Sequence, residues 1–211
     1  MRIFPGTLAA AALIISMACG APPPSDVDGT PIDASAEPAQ EKIDDGEPIV
    51  IERKGWRFVL TPKASYQIQG EVLSRENYSS GVPGIISPCD IALVFGELYS
   101  SSLYRDISWS QSGRWYWWKY DASFPKQDDR YIARWSSNNH IIPATATLRK
   151  AARSAEEGDL VVLEGYLVKI DADKKGENYF WNSSLSRSDT GDGSCEVLYL
   201  TKMRIGENVY E

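Results

Sequence analysis

Four residues of this chain are suited to reactive chemistry: Cys19, Cys89, Cys195 and His140, the last being its one histidine. A thiolate beside an imidazole makes a nucleophile pair. Cys195 with His140 is therefore the enzymatic reading, as a Cys–His hydrolase or transferase of the cell wall. His140 follows Asn138 and Asn139, either of which can orient its ring as a general base. A ring bonded to a backbone carbonyl is the simpler, structural assignment, since catalysis needs a partner that only geometry supplies. Arg114 stands among tryptophans, where it is a candidate anion-binding side chain or a stacking member of the aromatic cluster. Arg114, Asn138, Asn139 and His140 form the candidate polar cluster for a ligand.

Metal and cofactor chemistry finds little footing. One histidine and two distant cysteines lack the paired spacing of a zinc site. Asp171, Asp173 and Gly176 imitate the start of a calcium loop, but Lys175 holds its fifth position and Asn182 its twelfth, where a glutamate is required. A charged hairpin turn explains the segment. Asp189 and Asp192, in residues 188–193, are too few oxygens for a hard cation, and a turn rich in Asp and Gly accounts for them. The chain has no phosphate-binding glycine loop and no Gly-x-Ser-x-Gly elbow. No metal and no cofactor is expected.

The cysteines gain meaning from the N-terminus. Arg2 precedes a short apolar run, residues 8–15, and Ser16-Met17-Ala18 leads into Cys19. The run is too short to span a bilayer. It resembles a bacterial lipoprotein signal, 1–18, which implies lipid on Cys19; cleavage by the ordinary signal peptidase is the alternative, giving a secreted periplasmic protein. By resemblance to the usual lipoprotein sorting rule, Gly20 rather than aspartate after Cys19 implies, in a Gram-negative host, an outer-membrane lipoprotein facing the periplasm. With Cys19 lipidated, Cys89 and Cys195 remain as an even pair in an oxidising compartment. A Cys89–Cys195 disulfide is expected, and it would remove Cys195 as a nucleophile.

Charge divides the chain. Residues 20–48 carry eight acids and one base, while 49–211 carry 21 acids and 20 bases. The first stretch, rich in Pro, Ala, Asp and Glu, reads as a disordered acidic linker (19–48) reaching about 30 Å. The second, nearly neutral, has no field to attract nucleic acid.

The elements that must position these residues are mostly strands. Residues 107–120 (ISWSQSGRWYWWKY) hold four of the seven tryptophans. On a strand Trp115 and Trp117 share one face and Tyr116, Trp118 and Tyr120 the other. This reads as the strand on which the core is built, covered on both sides, with a platform of rings for a sugar or a base as the functional alternative. Residues 49–51 and 56–60 suggest a hairpin around Arg53-Lys54-Gly55, and 66–72 alternate with period two. Residues 90–98 are ambiguous between strand and helix, and 131–135 read as a strand. Thr145 caps a helix over 145–157 that Gly158 stops. Strands follow at 159–170, 179–185 and 195–203. The order predicts a mainly β domain, 49–211, with one principal helix: an OB-like small β-barrel, or else an SH3-like barrel or an irregular α+β sheet. Gly70 and Gly165, inside strands, fit its bends.

Several phrases resemble an uncharacterised family of exported bacterial proteins: residues 136–142, Gly158-Asp159, Leu163-x-Gly165-Tyr166-Leu167, and 183–185 leading to Asp189-Thr190-Gly191-x-Gly193-x-Cys195-Glu196. The resemblance spans about 66–202. It implies an exported domain of one design and transfers no catalytic residue. Gly193-Ser194-Cys195 is also similar to cell-wall L,D-transpeptidases, but Asp192 and Glu196 stand where that family has a histidine, so no residue is carried over. The expected function is a non-enzymatic envelope module that binds a glycan, a peptide or a partner protein, held to the membrane by its lipid.

Overall fold

The structure is a computed structural model that describes residues 21–186 and 195–211. Cys19 and the 188–193 turn lie outside the described residues. In chain order come β1 (Asp26–Val27), β2 (Ala39–Lys42), β3 (Ile49–Arg53) and the long β4 (Trp56–Asn77). Next are α1 (Gly81–Ile86), β5 (Cys89–Val94), α2 (Gly96–Ser100), a 3-10 turn (Leu103–Asp106), β6 (Ile107–Ser112) and β7 (Trp115–Tyr120). Then follow α3 (Asp129–Arg134), β8 (Ser136–Pro143), α4 (Ala146–Ala152), β9 (Leu160–Lys174), β10 (Glu177–Asn182), β11 (Glu196–Ile205) and β12 (Asn208–Tyr210).

The chain is mainly β, with short helices rather than one principal one. Five strands pair in a ring: β4 with β5, β5 with β8, β8 with β11, β11 with β9, and β9 with β4. All these pairs are antiparallel except β8–β11. Their shared face holds one hydrophobic cluster, including Ile68, Leu93, Ile141, Leu163 and Leu198, and α4 adds Leu148, Ala151 and Ala152. Gly165 allows the close approach of β11: a Cβ there would run into the Tyr199 carbonyl. Gly70 likewise faces the Val94 carbonyl, 2.7 Å from where its Cβ would be. Thr145 caps α4 by accepting the Leu148 N–H at 3.1 Å, and the helix ends at Ala152, before the expected Glu157.

Four expectations need correction. Residues 21–48 are not a free tether. β1 pairs with β12, β2 pairs with β4, and Ala34 is buried with its carbonyl accepting the Gly96 N–H. Arg204 binds Asp28 and the Thr30 carbonyl. The composition is poor in core-forming side chains, but backbone pairing to a sheet edge needs none. The Cys89–Cys195 disulfide is absent. Cys89 faces Ile141 of β8, which faces Leu198 of β11, so a whole strand separates the two cysteines. Two strand spacings are about 10 Å, beyond the roughly 7 Å between Cα atoms that a disulfide tolerates.

Residues 131–134 are helical rather than extended, with Trp135 at the C-cap, because Asp128 accepts the Arg130 N–H at 2.9 Å and starts α3. Tyr131, Ile132 and Trp135 suit either a strand or a helix face, and the cap decides. The aromatic stretch is not a strand of the main sheet. It turns at Gly113-Arg114, both with positive φ, into a separate two-stranded sheet, β6–β7. Such a turn matches the twist of paired strands. Residues 90–98 divide between β5 and α2, with Gly96 at the junction; its φ is +60° and a Cβ there would meet the Trp135 ring.

Candidate functional site

Both faces of β5 and β8 are buried. On β5, Cys89, Ile91 and Leu93 face the ring cluster, while Ala92 and Val94 face a separate cluster with Ile107, Phe124 and Ile132. Asp90 shares that second face. The β6–β7 hairpin covers it, and the strand period assigns the roles. Trp109, Gln111, Tyr116 and Trp118 point inward. Ser108, Ser110, Ser112, Trp115, Trp117 and Lys119 point away.

The inward face is fixed along its whole length. The rings of Trp109 and Tyr116 stack at 6.4 Å and 5°, and Tyr116 meets Trp118 at 5.3 Å. Each polar atom of these rings reaches a partner. Trp109 Nε1 donates to the Tyr104 carbonyl at 3.0 Å and Trp118 Nε1 to Asp129 at 2.9 Å. The Tyr116 hydroxyl lies 3.1 Å from Ser136 Oγ. Gln111 Nε2 donates to Asn138 Oδ1 at 2.7 Å, and Asn138 Nδ2 donates to the Arg114 carbonyl at 3.0 Å.

The tip is clamped by charge. Arg114 Nη1 donates to Asp90 Oδ1 at 2.6 Å and to Ser87 Oγ at 3.2 Å, and Nη2 to the Ser87 carbonyl at 2.8 Å. Its guanidinium lies 3.7 Å over the Tyr78 ring, while its backbone N–H donates to the Tyr78 hydroxyl at 3.0 Å. Asp90 is fully buried, and a buried carboxylate requires such a partner. Arg114 has φ +76°, a region costing a non-glycine residue on the order of 1 kcal/mol or more. The contacts on its side chain and backbone hold it there. Burial, and then the Asp90 charge, push the Tyr78 hydroxyl up to about 12.

His140 stands directly opposite Asp90 in the β5–β8 register. Its Nδ1 lies 2.9 Å from Asp90 Oδ1, but off the line of a hydrogen bond. The ring packs on Trp181 of β10 at 4.7 Å between centroids. Of the candidate polar residues, the structure brings together Arg114, Asn138 and His140, and it adds Asp90, Tyr78, Ser87 and Trp181. Asn139 lies on the opposite face of β8, donating to the Ile91 carbonyl and Ser137 Oγ.

The cysteines sit differently. Cys89 belongs to the ring cluster, and burial, followed by the Asp90 charge, pushes its thiol up to about 12. A thiol so raised is inert as a nucleophile. Cys195 is half-buried just before β11, whose Val197 pairs with His140, and its carbonyl accepts the Ser184 N–H at 3.0 Å.

The outward face of the hairpin is the contrast. Trp115 and Trp117 lie side by side, 6.2 Å between centroids and 37° apart in plane, and Trp117 is 56% exposed. Cross-strand pairing sets Ser112 beside Trp115, Ser110 beside Trp117 and Ser108 beside Lys119. The expectation that the aromatic stretch is covered on both sides thus holds for one face alone.

Compared with protein-family models, curated proteins and solved structures, the chain finds no match in any of the three.

Proposed function

We propose that the chain is a cell-envelope lipoprotein, anchored through Cys19, whose globular part is a non-enzymatic binding module built on an OB-like barrel. The cyclic order β4–β5–β8–β11–β9, with α4 between its third and fourth strands in the sequence, supports the barrel. OB barrels take ligands on the face of their second and third strands. Here those strands are β5 and β8, and the chain's own hairpin occupies that face. The hairpin's outward side replaces it as the ligand surface.

The observation that carries the reading is the outward Trp115–Trp117 pair, half-buried Trp115 beside exposed Trp117, on a hairpin whose other face packs against the domain. The Arg114–Asp90–His140 cluster serves as the clamp beneath it. The signal segment supports export. Because residues from Ser25 onward are hydrogen-bonded to the sheet, only residues 20–24 would separate Cys19 from it. From Cys19 to Ser25 that is a span of at most about 22 Å, so the module would ride close to the bilayer.

Two comparisons test this reading. Fatty-acid labelling of the full chain should vanish in Cys19→Ala. Retention of the purified mature protein on isolated envelopes should fall about tenfold in the Trp115→Ala/Trp117→Ala variant and stay unchanged in Cys195→Ala. Equal retention by the double tryptophan variant would contradict the reading. An envelope-degrading activity lost in Cys195→Ala would put the Cys–His enzyme in its place.

A further inference from the structure

We infer that the outward face of the β6–β7 hairpin is a saccharide-binding platform, with Trp115 and Trp117 as its stacking rings. The inference rests on the binding-module reading and names its ligand class. The face consists of two indoles, three serine hydroxyls and one ammonium, Lys119, with no aliphatic side chain and no acid. A pyranose presents the complementary surface: a face of C–H groups bordered by hydroxyls. The indoles cover the C–H face, and Ser108, Ser110 and Ser112 offer donors and acceptors along its edge. The 37° between the ring planes makes the pair a shallow trough rather than a flat shelf.

Other ligand classes fit less well. Single-stranded nucleic acid needs a positive groove beside its stacking rings, yet the nearest guanidinium, Arg114, is bound to Asp90. A stable protein interface covers about 800 Å² per partner and is depleted in serine; this face is one short hairpin with serine at every outward position of β6. A bilayer surface calls for leucine or phenylalanine beside tryptophan, and none is here.

Rigidity favours the assignment. The inward face and tip are held by the contacts described above, so the strand that carries the two rings is already placed. Binding then has little backbone to order, the usual advantage of a preformed site.

Titrating the mature protein with chitotetraose and with cellotetraose tests this, read by tryptophan emission and by calorimetry. At least one should bind, with affinity reduced about tenfold or more in Trp117→Ala and in Trp115→Ala, and unchanged in Phe180→Ala, an exposed ring of β10 that lies outside the platform. If neither sugar binds at about 10 mM while envelope retention still depends on the two tryptophans, the saccharide inference is overturned and the module stands. Binding that Phe180→Ala abolishes and Trp117→Ala leaves intact also overturns it. If neither envelope retention nor sugar binding depends on Trp115 and Trp117, both readings fail.

Discussion

The two faces of the β6–β7 hairpin are built from the same residue types and put to opposite uses. Inward, Trp109, Tyr116 and Trp118 pack on each other, and their polar atoms all find partners. Outward, Trp115 and Trp117 touch each other, and Trp117 is left 56% exposed. An aromatic ring is inexpensive to bury when its N–H or O–H is satisfied, and informative when left in water. The alternation of one strand thus separates anchoring from display within six residues.

The strongest way to break this contrast is to remove the clamp. Arg114→Ala leaves the Asp90 carboxylate buried without its guanidinium, and breaking a buried pair in this way costs about 3–5 kcal/mol. Urea unfolding should show that loss, and Asp90→Asn in the same background should recover part of it. A loss below about 1 kcal/mol would mean that the inward face holds without its tip.

Alkaline pH probes the buried side next. Cys89, Tyr78 and Tyr179 all have folded-state values raised to about 12, by burial first. Groups raised in this way contribute stability that is intact below their unfolded values and lost as pH rises through the folded ones. Stability should therefore hold to about pH 9, where a free thiol ionises, and fall from there toward 12. The unfolded chain releases protons in that window that the folded chain keeps. A flat profile from pH 9 to 12 would show these groups to be in contact with water.

Much of this was legible in the residues. Period two separated Trp115 and Trp117 from Tyr116 and Trp118, and the glycines within β4 and β9 stood out, read as bends where the structure shows close backbone approaches. His140 and Arg114 drew notice by type. Asp90 did not, although a lone acid opening the apolar run of β5 is the signal of a buried charge that needs a partner. The turn at Gly113-Arg114 hid the hairpin, because an arginine in a left-handed position is held by tertiary contacts that no local pattern shows. Strand order decided the rest. Only the placement of β8 between β5 and β11 shows that Cys89 and Cys195 cannot meet. Only an available sheet edge explains why an acidic, proline-rich segment lies down along the domain.

The most direct test sets two neighbours on β7 against each other. Unfolding free energies of Trp117→Ala and Trp118→Ala, measured in urea beside the wild type, isolate the two faces at adjacent positions. Trp118→Ala should lose about 2–3 kcal/mol, toward the low end for a large ring because it is only partly buried. Trp117→Ala should lie within about 0.5 kcal/mol of wild type, as surface substitutions do. Equal losses at the two positions, or a larger one at Trp117, would contradict the division of the hairpin into an anchoring face and a displayed one.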